Sequence, residues 1–293
     1  MKTVHIRAAL VALALSLAAT PAFAQIELAG NWAPLFTEDQ PERVAGPEIG
    51  DYLGLPINPA DRLRADTWDA SLLTLPEHQC IPHPSTYGFR GVGLLRIWDT
   101  VDDATQKLVS VNTHIQWMEQ ERHIWMDGRP HPPDFAAHTW QGFSTGHWEG
   151  NVLVVHTDHL KAGWIRRNGV ALTDRATLED RFIRHGDFLT HVSIVQDPNY
   201  LTEPFIRTNG FRLDLTARMQ PYPCESVVEV ERPAGEVPSH LPGANPFLME
   251  FANRYHLPYI ATRGGAETAY PEYMKKLAML EKQKAATQQN DSR

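Results

Sequence analysis

The stretch STGHWEGNVLVVHTDHL, residues 144–160, constrains the fold more than any other part of the chain. Two runs rich in β-branched and aromatic residues flank Glu149-Gly150-Asn151, and a tight turn between such runs specifies a β-hairpin. The texture recurs. ATLEDRFIRHGDFLTHVSIVQD predicts a second hairpin turning at Gly186-Asp187, and GLLRIWDT, KLVSVNTHIQWM and RHIWMD are strand-like runs between polar turns. LAGNW (28–32) is a short apolar strand, and PFIRTNGFRLDLTARM adds one or two more. Strands at this spacing predict an antiparallel barrel or sandwich. Residues 40–85, rich in Pro, Asp and Gly, read as an irregular, partly helical excursion.

Helix signals concentrate at the C-terminal end. Asn245-Pro246 supplies a cap and a first-turn proline, and Phe247, Leu248, Phe251 and Tyr255 fall on one face. This predicts a helix over 246–256, stopped by Pro258. A second, over 272–284, buries Tyr273, Met274, Leu277 and Leu280. The organisation expected is a β-barrel domain over 25–245 and a helical extension over 246–293 that packs on it.

Residues 1–24 read as a signal peptide. Lys2 and Arg7 are the positive start, Ala8 to Ala19 the apolar run, and Ala22-Phe23-Ala24 the small-x-small cleavage site. The run is short for a membrane span, and no other stretch is long enough. The expected location is periplasmic or secreted. An oxidising compartment permits a disulfide between Cys80 and Cys224, the two cysteines of the chain. The net charge of −8 argues against nucleic acid, because phosphate contacts need clustered Lys and Arg.

The block MDGRPHPPDFAAHTWQGFSTGHWEGNVLVVHT (126–157) resembles a large family of exported, mostly uncharacterised bacterial proteins. HLKAGWIRRNGVALTDRATLEDRFIRHGDFLT (159–190) and DPNYLTEPFIR (197–207) resemble one branch of it, and the likeness covers roughly 27–231. His147 stands where the family usually has Arg, and Asn151 where it usually has Asp. Both flank a turn. The resemblance implies no particular activity. Gly30-Asn31-Trp32 also resembles the Gly-x-Trp of lipocalin-like barrels, whose interior holds one small ligand.

Fourteen histidines are many for this length, and they form no single tract. Three groups stand out. Pairing Met118 with His123 would put His114, Gln116, His123, Trp125 and Asp127 on one face, either a cavity wall or a solvated surface. In Asp127-Gly128-Arg129-Pro130-His131-Pro132, Arg129 either pairs with Asp127 in a turn or joins His131 in holding an anion at the rim. The third group is His156, Asp158, His159 and Lys161 followed by Arg166-Arg167, with a type I′ turn signal at Asn168-Gly169. Strand alternation puts His156 and Asp158 on one face and His159 on the other. Those cations either bind an anion or pair with Asp174, Glu179 and Asp180.

No metal motif of the H-E-x-x-H kind occurs, nor a P-loop, a G-x-G-x-x-G or a G-x-S-x-G elbow. The expectation is an exported enzyme without an organic cofactor; a metal site is the alternative for so many histidines, with the absence of ligand spacing weighing against it. It would act on a small, partly hydrophobic molecule, aromatic compounds included. Lyase, isomerase or hydration chemistry fits His acid–base groups beside an Arg/Lys anion hole. The expected catalytic residues are His114, His123, His131, His159, Lys161 and Arg166. The expected ligand-binding residues are Gln116, Trp125, Asp127, Arg129, His156 and Arg167. The alternative is a periplasmic carrier of a small ligand that does no chemistry.

Overall fold

The computed structural model describes residues 26–35, 46–225, 227 and 230–291. The expected signal peptide lies outside the described residues. Eleven strands are found among those described: β1 (Gly30–Pro34), β2 (Leu95–Val101), β3 (Leu108–Ile115), β4 (Gln120–Trp125), β5 (Phe143–Glu149), β6 (Val152–Asp158), β7 (Gly163–Trp164), β8 (Ala171–Leu172), β9 (Thr177–His185), β10 (Phe188–Gln196) and β11 (Phe205–Leu213). Nine of them close into a barrel in the order β1-β11-β10-β9-β6-β5-β4-β3-β2, while β7 and β8 form a separate ribbon. The mainly β barrel with C-terminal helices is as the hairpin pattern predicts. The β5–β6 and β9–β10 hairpins turn at Gly150 and Gly186, each at φ 59°, a left-handed conformation that glycine adopts without strain.

One pair departs from antiparallel order. β4 and β5 run parallel and share only Ile124↔Ser144 and Trp125↔Thr145. Below that contact the two chains diverge, opening a cleft of about 460 Å3 between residues 119–123 and 139–144, with Pro82 and Trp125 also on its wall.

The β3–β4 hairpin has a different register from the one expected. Asn112, not Met118, faces His123, and His114 faces Glu121. The reversal is made by a 3-10 turn at Trp117–Glu119 in which Met118 and Glu119 both adopt positive φ. The shift is an even number of residues, so the strand faces survive it, but Gln116 falls in the turn and Asp127 beyond the strand.

The interior is filled. Trp32, Leu95, Ile97, Val111, Ile124, Leu153, Val155, Phe182, Leu189 and Phe211 point inward with Phe89. Among them sits a polar network. Arg122 Nη1 lies 2.7 Å from Asp180 Oδ2, and His191 Nε2 lies 2.8 Å from Asp180 Oδ1. All three side chains are at most 2% exposed. Arg122 also donates to Ser144 Oγ (2.8 Å) and to Thr157 Oγ1, and Asn209 Nδ2 reaches His191 Nδ1.

A second core joins the barrel end to the excursion, through Tyr52, Leu55, Ile57, Leu160, Ile165, Val170 and Leu178. The excursion contains helix α1 (Pro59–Asp66), capped by Asn58 Oδ1, and short helices α2 (Pro76–Gln79) and α3 (Ser85–Gly88). Cys80 and Cys224 form a disulfide with Cα atoms 5.6 Å apart. After Asn245, whose Oδ1 accepts from Phe247 N–H, the chain turns before α4 (Glu250–Arg254), α5 (Tyr259–Thr262) and α6 (Glu272–Asp291). The first expected helix is thus shorter than 246–256. Met274 is exposed rather than buried, because Tyr273 and Leu277 alone meet Ala261 on that face. The contacts holding these helices run to the excursion: Arg263 to Asp66, and Thr262 C=O accepting from Tyr52 N–H.

Two stability predictions follow from the core. Trp32 is fully buried, and its indole N–H donates to Leu28 C=O at 3.0 Å. Trp32→Ala is expected to cost about 3–5 kcal/mol in urea unfolding. Asp180→Ala strands a buried guanidinium and is expected to cost about 3–5 kcal/mol, of which the double variant Arg122→Met/Asp180→Leu recovers most. No recovery in the double variant would show that the pair is not what the core depends on.

Candidate functional site

The groups expected to act together are distributed over the molecule. His114 and His123 lie on the outer wall, because their neighbours Val111, Ile115, Arg122 and Ile124 take the inward positions. There His123 Nδ1 meets Asn112 Oδ1 at 2.7 Å, and both imidazoles lie within 4 Å of the Glu121 carboxylate. Gln116 Oε1 accepts from Leu94 N–H. Arg129 forms a bidentate pair with Asp127 and lies over Trp125, its guanidinium carbon 3.5 Å from the ring centre, so this stretch is the charged turn. Lys161 lies over Trp140.

Arg166 and Arg167 part company. Arg166 is nearly buried and donates to the backbone and carboxylate of Asp51, which ties the β7–β8 connection to the excursion. Asn168 does the same, donating to Glu48 C=O and Asp51 C=O. The connection is not the expected type I′ turn: of its residues only Gly169 has positive φ (94°), and it packs against Trp68 and Ala65. Arg167 points elsewhere, toward Trp117.

His131, His156 and His159 do come together, around Asp158. β6 ends at Asp158, and His159 adopts φ 52°, so alternation stops there. Its ring swings back to place Nδ1 2.7 Å from Asp158 Oδ1, while Nε2 reaches Pro133 C=O at 3.0 Å. The hydrogen bond that His159 makes to the Asp158 carboxylate raises the His159 pKa against its burial. Burial pushes the Asp158 carboxyl up, but the His159 and His131 imidazoles outweigh it and hold it below the usual range. Beside this group lies a cleft of about 330 Å3 lined by Asp134, His138, Asp174 and Arg175.

The most unusual environment belongs to a residue that sequence reasoning did not single out. His83 precedes α3 and is 4% exposed. Its ring is enclosed by Trp117 (centroids 4.4 Å apart), Tyr87 (4.9 Å) and Trp164 (5.6 Å). Neither ring nitrogen has a hydrogen-bond partner, and neither do the buried Ser85 Oγ, Thr86 Oγ1, Gln120 Oε1 and Trp164 Nε1. A buried polar atom left unmatched costs about 1–3 kcal/mol, so these atoms are the ones that a water or a ligand would satisfy. Two cations border it: Arg167 over Trp117, and Arg207 over Tyr87 with a donor on Ile165 C=O. Burial, reinforced by Arg167, pushes the His83 pKa down to about 3, so the imidazole is neutral.

Local sequence explains the placement. Pro82 and Pro84 hold the chain extended on both sides of His83. Phe89 anchors the far end of this cap inside the barrel, stacked on His191 at 4.0 Å. Gly88 and Gly91 allow the close approach, since a Cβ would lie 2.6 Å from Gln120 Oε1 and from Trp117 respectively. Pro82, Gln120 and Gln141 line the cleft beside β4, and Gln141 Nε2 donates to His83 C=O.

Fold and site together define a closed β-barrel protein with a capped end and a buried histidine caged by aromatic rings in the cap. The chain matches no protein-family profile, no curated protein and no solved structure. Among the described residues no helix is long and apolar enough to cross a membrane.

A neutral buried histidine makes folding pH-dependent with a definite sign. Below about pH 6.5 the unfolded chain takes up a proton that folded His83 refuses until about pH 3, so stability falls as pH falls through that window. At pH 5 the loss is about 2 kcal/mol. Urea unfolding of His83→Phe is expected to show that much less loss between pH 7 and pH 5 than the native chain; an identical slope would contradict a buried neutral imidazole.

Proposed function

We propose that the protein is an exported enzyme that acts, without an organic cofactor, on a small planar molecule carrying an anionic or carbonyl oxygen. The observation that carries this reading is the set of unpartnered polar atoms around His83, framed by three aromatic rings. Aromatic walls suit a flat, partly hydrophobic ligand, and a few polar groups fix its orientation. Arg167 and Arg207 supply the positive field for an enolate, phenolate or carboxylate. A neutral imidazole accepts a proton from carbon beside a carbonyl, and the adjacent cation stabilises the anion left behind, which is lyase or isomerase chemistry. The disulfide fits an oxidising compartment and supports export.

A second reading has an observation of its own. An imidazole whose pKa is pushed down to about 3 is a weak base, which favours a carrier that holds its ligand through His83 and performs no chemistry.

Trp117 and Trp164 provide the test. A screen of aromatic acids, phenols and cyclic ketones by tryptophan fluorescence is expected to find ligands that quench the native protein. His83→Leu and Thr86→Val are expected to weaken their binding about tenfold, the effect of losing one matched hydrogen bond to a buried polar group. Incubation of each bound compound, followed by mass spectrometry and by deuterium exchange of its acidic C–H, separates the readings. Exchange or conversion that is lost in His83→Leu supports the enzyme, and binding without either supports the carrier. Ligand affinities unchanged in both variants would remove the His83 cage from consideration.

A further inference from the structure

Outside the His83 cage, three side chains converge on the barrel wall with the donor set of a divalent metal site. His156 and Asp158 lie two apart on β6 and so share its outer face, and His131 reaches them from the loop after β4. One ligand atom from each lies within 4.8 Å of the other two, close enough for a single ion to bind all three. We propose that His131, His156 and Asp158 form a site for a divalent transition ion, with zinc as the natural occupant. This shares no residue with the His83 cage and does not rest on the reading given for it.

Three observations carry it. First, His131 Nδ1 is buried and stands 2.8 Å from Asp158 Oδ2, and the His156 ring lies 5.2 Å from the His131 ring, so imidazole and carboxylate donors already face one another. Second, the outer partners of such a site are already in place. His131 Nε2 lies 2.8 Å from Thr145 Oγ1, which fixes the ring with Nδ1 facing the ion. Asp158 Oδ1 is held by His159, itself pinned to Pro133 C=O, which leaves Oδ2 for the metal. Ligands oriented by a second layer of hydrogen bonds are the rule in protein metal sites. Third, the frame is rigid where it needs to be. Thr145 faces His156 directly across the β5–β6 ladder, and Phe143 packs edge-on against His131.

Two imidazoles and one carboxylate suit zinc and neighbouring divalent ions, and three protein ligands leave a coordination position open to water or a small ligand. His156 is exposed, so that position faces solvent. The expectation from sequence, which weighed against a metal, came from the absence of a helical ligand motif. Strand spacing of two, completed from a distant loop, supplies the same donors by another route.

The test uses the mature full chain, stripped with a chelator and titrated with zinc chloride by calorimetry and with cobalt chloride by visible absorption. The expected result is one ion per chain at micromolar affinity or tighter, with a cobalt spectrum of low coordination number. His156→Ala removes an exposed side chain and leaves the fold intact by circular dichroism, yet is expected to weaken zinc about tenfold or more. His131→Ala and Asp158→Asn are expected to do the same. His147→Ala, on the same face of the barrel wall but outside the cluster, is expected to change nothing. Millimolar or non-stoichiometric binding overturns the proposal, and so does tight binding whose affinity is unchanged by His156→Ala.

Discussion

The barrel depends on one buried charge pair. Arg122 from β4 and Asp180 from β9 meet at the centre of an otherwise apolar interior. Each alone would be prohibitively expensive there, so neither strand can be placed without the other. The carboxylate is held below its usual range because the guanidinium and His191 outweigh the burial that pushes it up. Ser144, Thr157 and Asn209 take up further valences of the network, so β4, β5, β6, β9, β10 and β11 are all registered to one point. Hydrophobic burial supplies the driving force for closing the sheet, and the network decides which closed sheet forms.

That choice propagates to His83. His191 presents its face to Phe89, and Phe89 is the plug that seats the cap. With the plug fixed, His83 is carried beneath Trp117 and beside Trp164, two rings from segments otherwise unrelated in sequence. A polar core and a caged histidine are thus linked through one aromatic stack. The cap also lies close to the disulfide, since Cys80 is three residues before His83, and its partner Cys224 anchors the strand-free segment that follows β11.

What the sequence disclosed was local. The hairpins at Gly150 and Gly186 were legible because turn and flanking strands are contiguous and each carries its own signal. The charged turn Asp127–Arg129 was legible as one of two alternatives for the same reason. The register of β3 with β4 was not, because Met118 and Glu119 make the reversal in left-handed conformations that neither residue type advertises. The same blindness separated His159 from Asp158, since one positive φ turns a residue that alternation sends inward back to its neighbour. His83 was missed for a different reason. Its neighbours Trp117 and Trp164 come from two other parts of the chain, and no spacing rule connects them. The cue that was present, a histidine between two prolines in a stretch without periodicity, reads as an ordinary loop until the rings around it are known. Arg166 looked like an anion ligand and proved to be a tether, because its partner Asp51 lies in a segment whose path the sequence left open.

The single parallel pairing has a mechanical consequence. β9 and β10 are stitched over nine residue pairs, whereas β4 and β5 share two. A cylinder made this way is not uniformly stitched: the seam between β4 and β5 has fewer ladder pairs than any other joint in the wall. The unpaired end of that seam is the stretch holding Gln120 and Gln141, beside Pro82 and the cap. Backbone pairing is therefore thinnest beside the cap, and side-chain bonds such as Arg122 to Ser144 do there the work that the ladder does elsewhere.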